Sequence, residues 1–150
     1  MKNFQFKLES VLQLRERTEA EAQQNHAAAG RRLEAAVVEL AEAETEHKSL
    51  ATQLGDMQRG SFRPAERDIL WKALNYQKGL CTRLQQNVDL AVKDLEEKRA
   101  MLLKAQSECQ AMVKLREKGK LEYSRAADSA QRAMVDDLVN SRHAAKQRFG

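Results

Sequence analysis

Apolar and small residues recur along the first part of the chain at spacings that alternate between four and three residues. This spacing begins at Leu8 and continues unbroken for about seven heptads. The positions are Leu8, Leu12, Arg15, Glu19, Ala22, His26, Ala29, Leu33, Ala36, Leu40, Ala43, His47, Leu50, Leu54 and Met57. The pattern predicts one long helix over about residues 5–57. Its seam is thin because the Arg15 and Glu19 positions are polar and alanine fills many of the others.

Helix-breaking residues are concentrated in one stretch, GDMQRGSFRPAERD. Its turn-forming residues are Gly55, Gly60, Ser61 and Pro64. The acidic Glu66, two residues after the proline, is typical of the first turn of a helix. We therefore predict a turn over about residues 58–64 and a second helix over about residues 65–145.

The heptad pattern of the second helix does not stop where the first helix begins. If the chain folds back near residue 61, position i lies opposite about position 122 minus i. Everything after about residue 116 then overhangs the first helix by roughly 40 Å. Its stripe consists of Tyr123 and alanines, with Gly119 among them, and an isolated helix of this kind is marginal in water. Either this segment frays, or something outside the chain stabilises it.

Together these patterns predict an all-α protein, a single domain over residues 1–150. Its two long helices form an antiparallel coiled-coil hairpin in which the second helix overhangs the first. The composition agrees, because 32% charged residues, 5% aromatic residues and a single proline favour long helices over a globular core.

The charge distribution is uneven but does not indicate a nucleic-acid partner. Residues 1–60 carry 8 basic and 10 acidic residues, and the remainder carries 18 and 12, within a total net charge of +4. Acidic residues alternate with the basic ones, and no basic cluster is interleaved with aromatics. A solvated helix face therefore explains the excess of basic residues after residue 60.

Catalytic and metal-binding patterns are not found. His26, His47 and His143 are too far apart along helices to form one metal site. No glycine-rich phosphate loop occurs, and neighbouring carboxylates such as Asp136 and Asp137 diverge on a helix. We expect no enzyme activity, no cofactor, no metal and no small-molecule substrate.

The two cysteines are expected to be free thiols. On one continuous helix Cys81 and Cys109 would lie about 42 Å apart, which excludes a disulfide between them. The N-terminal residues lack the apolar core of a secretory signal, and no run reaches the roughly 18 apolar residues of a membrane span. A cytoplasmic location is therefore expected.

Large apolar residues gather in ILWKALNYQKGLCTRL, residues 69–84. They could form a hydrophobic cap that closes the hairpin against four residues of the turn region: Leu50, Leu54, Met57 and Phe62. They could equally be exposed anchors of a docking surface. Both interpretations stay open from the sequence.

The terminal sequences resemble a known family. The pattern Phe4-x-Phe6-x-Leu8-x-x-Val11-Leu12-x-Leu14-Arg15-Glu16, the mid-chain break and the distal KLREKGKLEYSRAADSAQRAMVDDL are similar to FliJ, the flagellar export protein of type III secretion. The resemblance covers nearly the whole chain. It implies a coiled coil similar to the stalk of rotary ATPases, binding the centre of the hexameric flagellar export ATPase. It also implies contact with the export-gate membrane protein and with export chaperones, peripheral to the cytoplasmic face of the inner membrane.

The resemblance also implies candidate contact residues. Those for the ATPase lie in the terminal signatures: Arg15, Arg116, Lys118, Tyr123, Asp136 and Asp137. Those for the gate are expected to face outward at the start of the second helix: Leu74, Tyr76, Leu80 and Leu84. Two alternatives remain, namely the stalk protein of an injectisome, or a structural adaptor coiled coil that homodimerises through its alanine-rich seam with the overhanging segment paired in trans.

Overall fold

A computed structural model describes residues 3–149 of the chain, without the side chain of Phe149. Met1, Lys2 and Gly150, which the predicted domain included, lie outside the described residues. The described chain forms two helices, α1 (Glu9–Arg59) and α2 (Pro64–Phe149), and contains no strand. Contacts between α1 and α2 run in antiparallel order, which confirms the predicted all-α helical hairpin. Neither of these described helices holds a stretch long and apolar enough to cross a membrane.

The first helix begins at Glu9, where the sequence predicted a start near residue 5. The residues before it have no regular secondary structure, and Phe4 and Phe6 are half-buried. The Glu9 N–H donates to the Phe6 carbonyl at 3.2 Å, and the Leu12 N–H donates to the Leu8 carbonyl at 2.9 Å. Burial of the two phenylalanines therefore holds these residues outside the helix.

The turn between the helices is short. α1 ends at Arg59, where the Gly60 N–H donates to the Met57 carbonyl at 3.2 Å. Pro64 is the first residue of α2, a position where its missing N–H costs nothing. The Arg63 carbonyl accepts the N–H groups of Glu66 at 3.0 Å and Arg67 at 3.3 Å, which starts the second helix.

The predicted heptad positions form the buried seam. In α1 every position of the pattern from Leu12 to Met57 is buried or half-buried, and in α2 the same holds from Leu70 to Gly119, with Val88 taking the place of Asn87. The most buried side chains are Leu12, Ala29, Ala43, Leu54, Ala105 and Cys109. Four of these six are small, so little apolar area is buried per heptad.

Contacts divide the described chain into two units. The terminal unit combines the segments up to Glu19 and from Ala105 onward, and the turn unit is Ala20–Lys104.

Each unit has its own cross-helix polar contacts. In the terminal unit, Arg15 Nη1 lies 2.6 Å from Glu108 Oε2. In the turn unit, Arg32 Nη2 lies 2.8 Å from Asp94 Oδ2, and Gln77 Nε2 donates to the Ala43 carbonyl at 3.2 Å. All three pairs lie within about one helical turn of the predicted register.

Candidate interaction surfaces

The overhang of the terminal unit, defined as residues 124–149, is an exposed part of α2. Among the side chains described in it, only Ala127 is half-buried. Four large apolar side chains are exposed here: Met134, Val135, Leu138 and Val139. The heptad pattern predicted only Tyr123 and alanines on this stripe. Met134 and Leu138 were not predicted because the apolar positions shift by one, from the heptad position Ala133 to Met134. Val135 and Val139 lie on other faces of the helix.

The base of the overhang is covered by Phe4. The rings of Phe4 and Tyr123 have centroids 5.8 Å apart and an interplanar angle of 58°. A Cβ atom at Gly119 would lie 3.2 Å from Cζ of Phe4. Gly119 therefore leaves the space that the Phe4 ring occupies, and α2 continues through it as a regular helix.

The candidate ATPase residues all lie in the terminal unit, but they differ in exposure and in their contacts with other side chains. Arg15 is engaged by Glu108, and Tyr123 is engaged by Phe4. Arg116 is half-buried, with Glu117 Oε1 at 3.9 Å, and its Nε atom is buried without a hydrogen-bond partner among the described residues. The other three, Lys118, Asp136 and Asp137, are exposed.

The candidate gate residues all lie in the turn unit, and the structure does not expose them equally. Leu74, Leu80 and Leu84 are half-buried, whereas the side chain of Tyr76 is 65% exposed. Ile69 and Leu90, 68% and 65% exposed, flank the seam on the same side as Tyr76 because they are spaced from it by multiples of seven residues. This heptad spacing beside the seam is the sequence signal that could have identified the exposed surface.

The proposed hydrophobic cap of the hairpin is only partly formed by the expected residues. Leu54 is buried, and Leu50 and Met57 are half-buried. Trp71 and Phe62 are exposed, the former by 52%. The single tryptophan is therefore available at the surface of the turn unit.

Comparison with known proteins identifies the family. The sequence model of the family described as Flagellar FliJ protein matches residues 4–148. The chain belongs to the FliJ family. This confirms the resemblance drawn from the terminal sequences, and it makes this FliJ-family chain a flagellar export-related protein associated with the export apparatus. The family is a non-catalytic component of that apparatus. No curated protein and no solved structure matches the chain.

One ion pair of this FliJ-family chain shifts the titration of its acid. The hydrogen bond that Arg32 donates lowers the pKa of Asp94 below its usual value. Partial desolvation opposes this shift, while the positive charges of Arg32 and of Lys98, whose Nζ lies 3.9 Å away, add to it. Asp94 is therefore held in its charged form in the turn unit.

Both cysteines of this FliJ-family chain are free, as predicted. Burial raises the pKa of the Cys109 thiol, and the carboxylates of Glu19 and Glu16 raise it further. Cys109 is consequently a protonated seam residue, while Cys81 is half-buried. Within residues 3–149, no group of three or more His, Cys, Asp or Glu side chains could hold a metal ion.

Proposed function

We propose that this protein is a non-enzymatic stalk that binds the centre of the hexameric flagellar export ATPase. In this proposal it also links the ATPase to the export-gate membrane protein and to export chaperones. The observation that carries the proposal is the overhang, in which α2 continues as an exposed helix after Tyr123. A single helix bearing both signs of charge is a shape that fits the bore of a polar protein ring.

The ATPase contact is proposed to lie on the terminal unit. Lys118, Asp136 and Asp137 are exposed and supply charges of both signs. Arg116 contributes a guanidinium group whose Nε still needs an acceptor, since an unpaired buried donor is costly. Arg15 and Tyr123 support this surface through their contacts with Glu108 and Phe4.

The gate contact is proposed to lie on the turn unit. Tyr76 is its exposed anchor, and the half-buried side chains Leu74, Leu80 and Leu84 form the floor beneath it. Ile69 and Leu90 extend the exposed surface on the same side. Exposed aromatic and aliphatic residues of this kind are the usual anchors of protein interfaces.

The site of action follows from these partners. Family membership associates the chain with the flagellar export apparatus. We place its action in the cytoplasm, peripheral to the inner membrane, where the ATPase and the cytoplasmic part of the gate are expected to meet.

ATP hydrolysis by the cognate export ATPase tests the stalk proposal. The full-length protein should promote assembly of the ATPase ring and raise its rate of hydrolysis. The charge reversal Lys118→Glu should weaken this stimulation and leave the helix content nearly unchanged, because an exposed charge contributes little to folding. Arg116→Glu should weaken the stimulation as well, and circular dichroism checks its helix content because Arg116 is half-buried.

The matched control is Lys93→Glu, which reverses an exposed lysine of the same helix in the turn unit. It should stimulate the ATPase as the unmodified protein does. If the full-length protein fails to change either ring assembly or hydrolysis, the stalk proposal is wrong.

A further inference from the structure

The overhang carries an apolar stripe that continues the seam of α2. Gly119 and Tyr123, beneath Phe4, are the last seam positions covered within the terminal unit. Beyond them a set of residues at spacings of three and four lies on the same face of the helix. The set is Ala127, Ala130, Met134 and Leu138. The stripe is thus an extension of an existing helix–helix interface that has lost its partner helix.

The side chains in the two halves of this stripe differ in size. Small side chains come first. Ala126, Ala127 and Ala130 line an open groove together with Tyr123, Gln131 and Met134. Large side chains follow, and Met134 is 67% exposed and Leu138 60% exposed. A helix face with a groove at one end and protruding side chains at the other is complementary to the same face of a second helix in antiparallel orientation.

We propose that the overhangs of two copies of this chain pair in antiparallel orientation, stripe against stripe. A twofold axis near residue 131 or 132 brings Met134 and Leu138 of one copy against the alanine groove, residues 126–130, of the other. A parallel pair would instead place alanine against alanine and methionine against methionine. The antiparallel orientation is also that of α1 against α2 in the terminal unit, so the second copy takes the position that α1 does not fill.

The charges of the overhang are compatible with this pairing. At 100° per residue, Arg125 and Asp136 lie on the side of the helix opposite the stripe. Asp137 lies at the edge of the stripe, and in the antiparallel alignment it meets no acidic residue of the other copy. The pairing therefore buries apolar area without bringing like charges together.

This interface would span about 16 residues of each helix, which is small for a protein dimer. We therefore expect a reversible dimer that forms at micromolar concentration. The pairing uses the same segment that is proposed to enter the ATPase ring, so the two occupancies exclude each other. The pairing does not depend on the ATPase, which is absent from the experiments that test it. A negative result for the pairing would therefore not contradict the stalk proposal.

Sedimentation of the full-length protein tests the pairing. Over concentrations from about 5 to 500 µM, the protein should shift from monomer to dimer. Met134→Asp should raise the dissociation constant at least about tenfold, because a charge would enter the paired stripe. Val139→Asp is the matched control, since Val139 is 58% exposed on the far side of the overhang, and it should dimerise as before.

A monomer at every concentration would overturn the proposal, and so would a dimer that Met134→Asp leaves intact. Circular dichroism of both variants shows whether helix content is preserved.

Disulfide cross-linking tests the orientation independently of any loss of folding. In a chain with Cys81→Ser and Cys109→Ala, the substitution Gln131→Cys places a thiol near the twofold axis. It should yield a cross-linked dimer under mild oxidation. Ala127→Cys should not, because the two thiols would lie about 14 Å apart along an antiparallel pair. Equal cross-linking at both positions would indicate a parallel pair and overturn the proposal, as would no cross-linking at Gln131→Cys.

Discussion

The absence of a side chain at Gly119 has a clear structural consequence. Glycine inside a helix costs about 1 kcal/mol relative to alanine, and Gly30 and Gly79 leave open space where a Cβ would be. At Gly119 the Phe4 ring fills that space at 3.2 Å. The glycine is therefore a contact site for Phe4, a role that the sequence could not distinguish from a tolerated defect.

This difference predicts that the substitution of glycine by alanine has different effects at the two positions. Gly30→Ala should raise the free energy of unfolding by about 0.5–1 kcal/mol, because it removes the entropic cost of glycine. Gly119→Ala should gain less or lose stability, because the Phe4 ring must move. Urea unfolding followed by circular dichroism measures both, and equal stabilisation by the two would show that Phe4 does not pack on Gly119.

The two cysteines should differ in reactivity. The thiolate is the reactive form, and burial raises the pKa of Cys109, whereas Cys81 is half-buried and lines a surface groove. At pH 8, iodoacetamide should modify Cys109 at least about tenfold more slowly than Cys81. Mass spectrometry of the single variants Cys81→Ser and Cys109→Ser compares the two rates, and equal rates would contradict the burial of Cys109.

The raised pKa of Cys109 also makes the stability of the fold depend on pH. Its thiol favours the folded state fully below the pKa of the unfolded chain, and this contribution is lost as the pH rises through the folded-state pKa. Cys109 should therefore destabilise the fold only under alkaline conditions.

Among the helices, α1 depends on few large buried side chains. Leu12 is 0% exposed and Leu54 6%, while most other seam positions hold alanine or polar residues. Leu12→Ala should lower the free energy of unfolding by about 2–3 kcal/mol, through lost burial and the cavity it leaves.

Leu14 offers the matched control on the same helix, because it is 59% exposed. Leu14→Ala should change stability by less than about 0.5 kcal/mol. Similar losses for both variants, measured by urea unfolding, would mean that the seam of α1 is not where the structure has it.

The ion pair between α1 and α2 in the turn unit predicts a pH dependence. The folded-state pKa of Asp94 is lowered, so the pair stabilises the fold above the unfolded value of about 3.9 and is lost as the pH falls through the folded-state pKa. Asp94→Asn should therefore lower the melting temperature slightly at pH 7, and this difference should shrink as the pH falls through the folded-state pKa of Asp94. An undiminished difference in acid would exclude the ion pair as its cause.

The helices themselves were largely predictable, because a heptad pattern needs only local spacing. The seam from Leu12 to Met57 and the break before Pro64 follow from residue types alone. The start of α1 was not predictable, since it depends on Phe4 reaching Tyr123, more than a hundred residues away in sequence.

The interaction surfaces were less predictable than the helices. Leu80 and Leu84 belong to the seam, while Tyr76, Ile69 and Leu90 flank it. Each residue turns an α-helix by about 100°, so a change of one position in the register moves a side chain from the seam to the exposed flank. Of the charged candidates, Lys118, Asp136 and Asp137 are exposed, whereas Arg15 and Arg116 are half-buried at seam positions.

The candidate contacts with the ATPase and with the gate lie in different units of the chain. The terminal unit holds the proposed ATPase contacts, from Arg15 to Asp137, and the turn unit holds the proposed gate contacts around Tyr76. A stalk that couples two partners requires this separation, because both must bind one chain at the same time. Substitutions in one unit should therefore impair one contact and spare the other.

Site-specific photo-cross-linking tests whether the two units contact different partners. A photoreactive residue introduced at Asp137 should cross-link to the export ATPase and not to the gate protein, and one at Tyr76 should show the reverse. A third at Glu42, an exposed residue outside both surfaces, should cross-link to neither. Cross-linking of Asp137 to the gate, or to neither partner in cells that assemble flagella, would contradict this assignment of contacts to the two units.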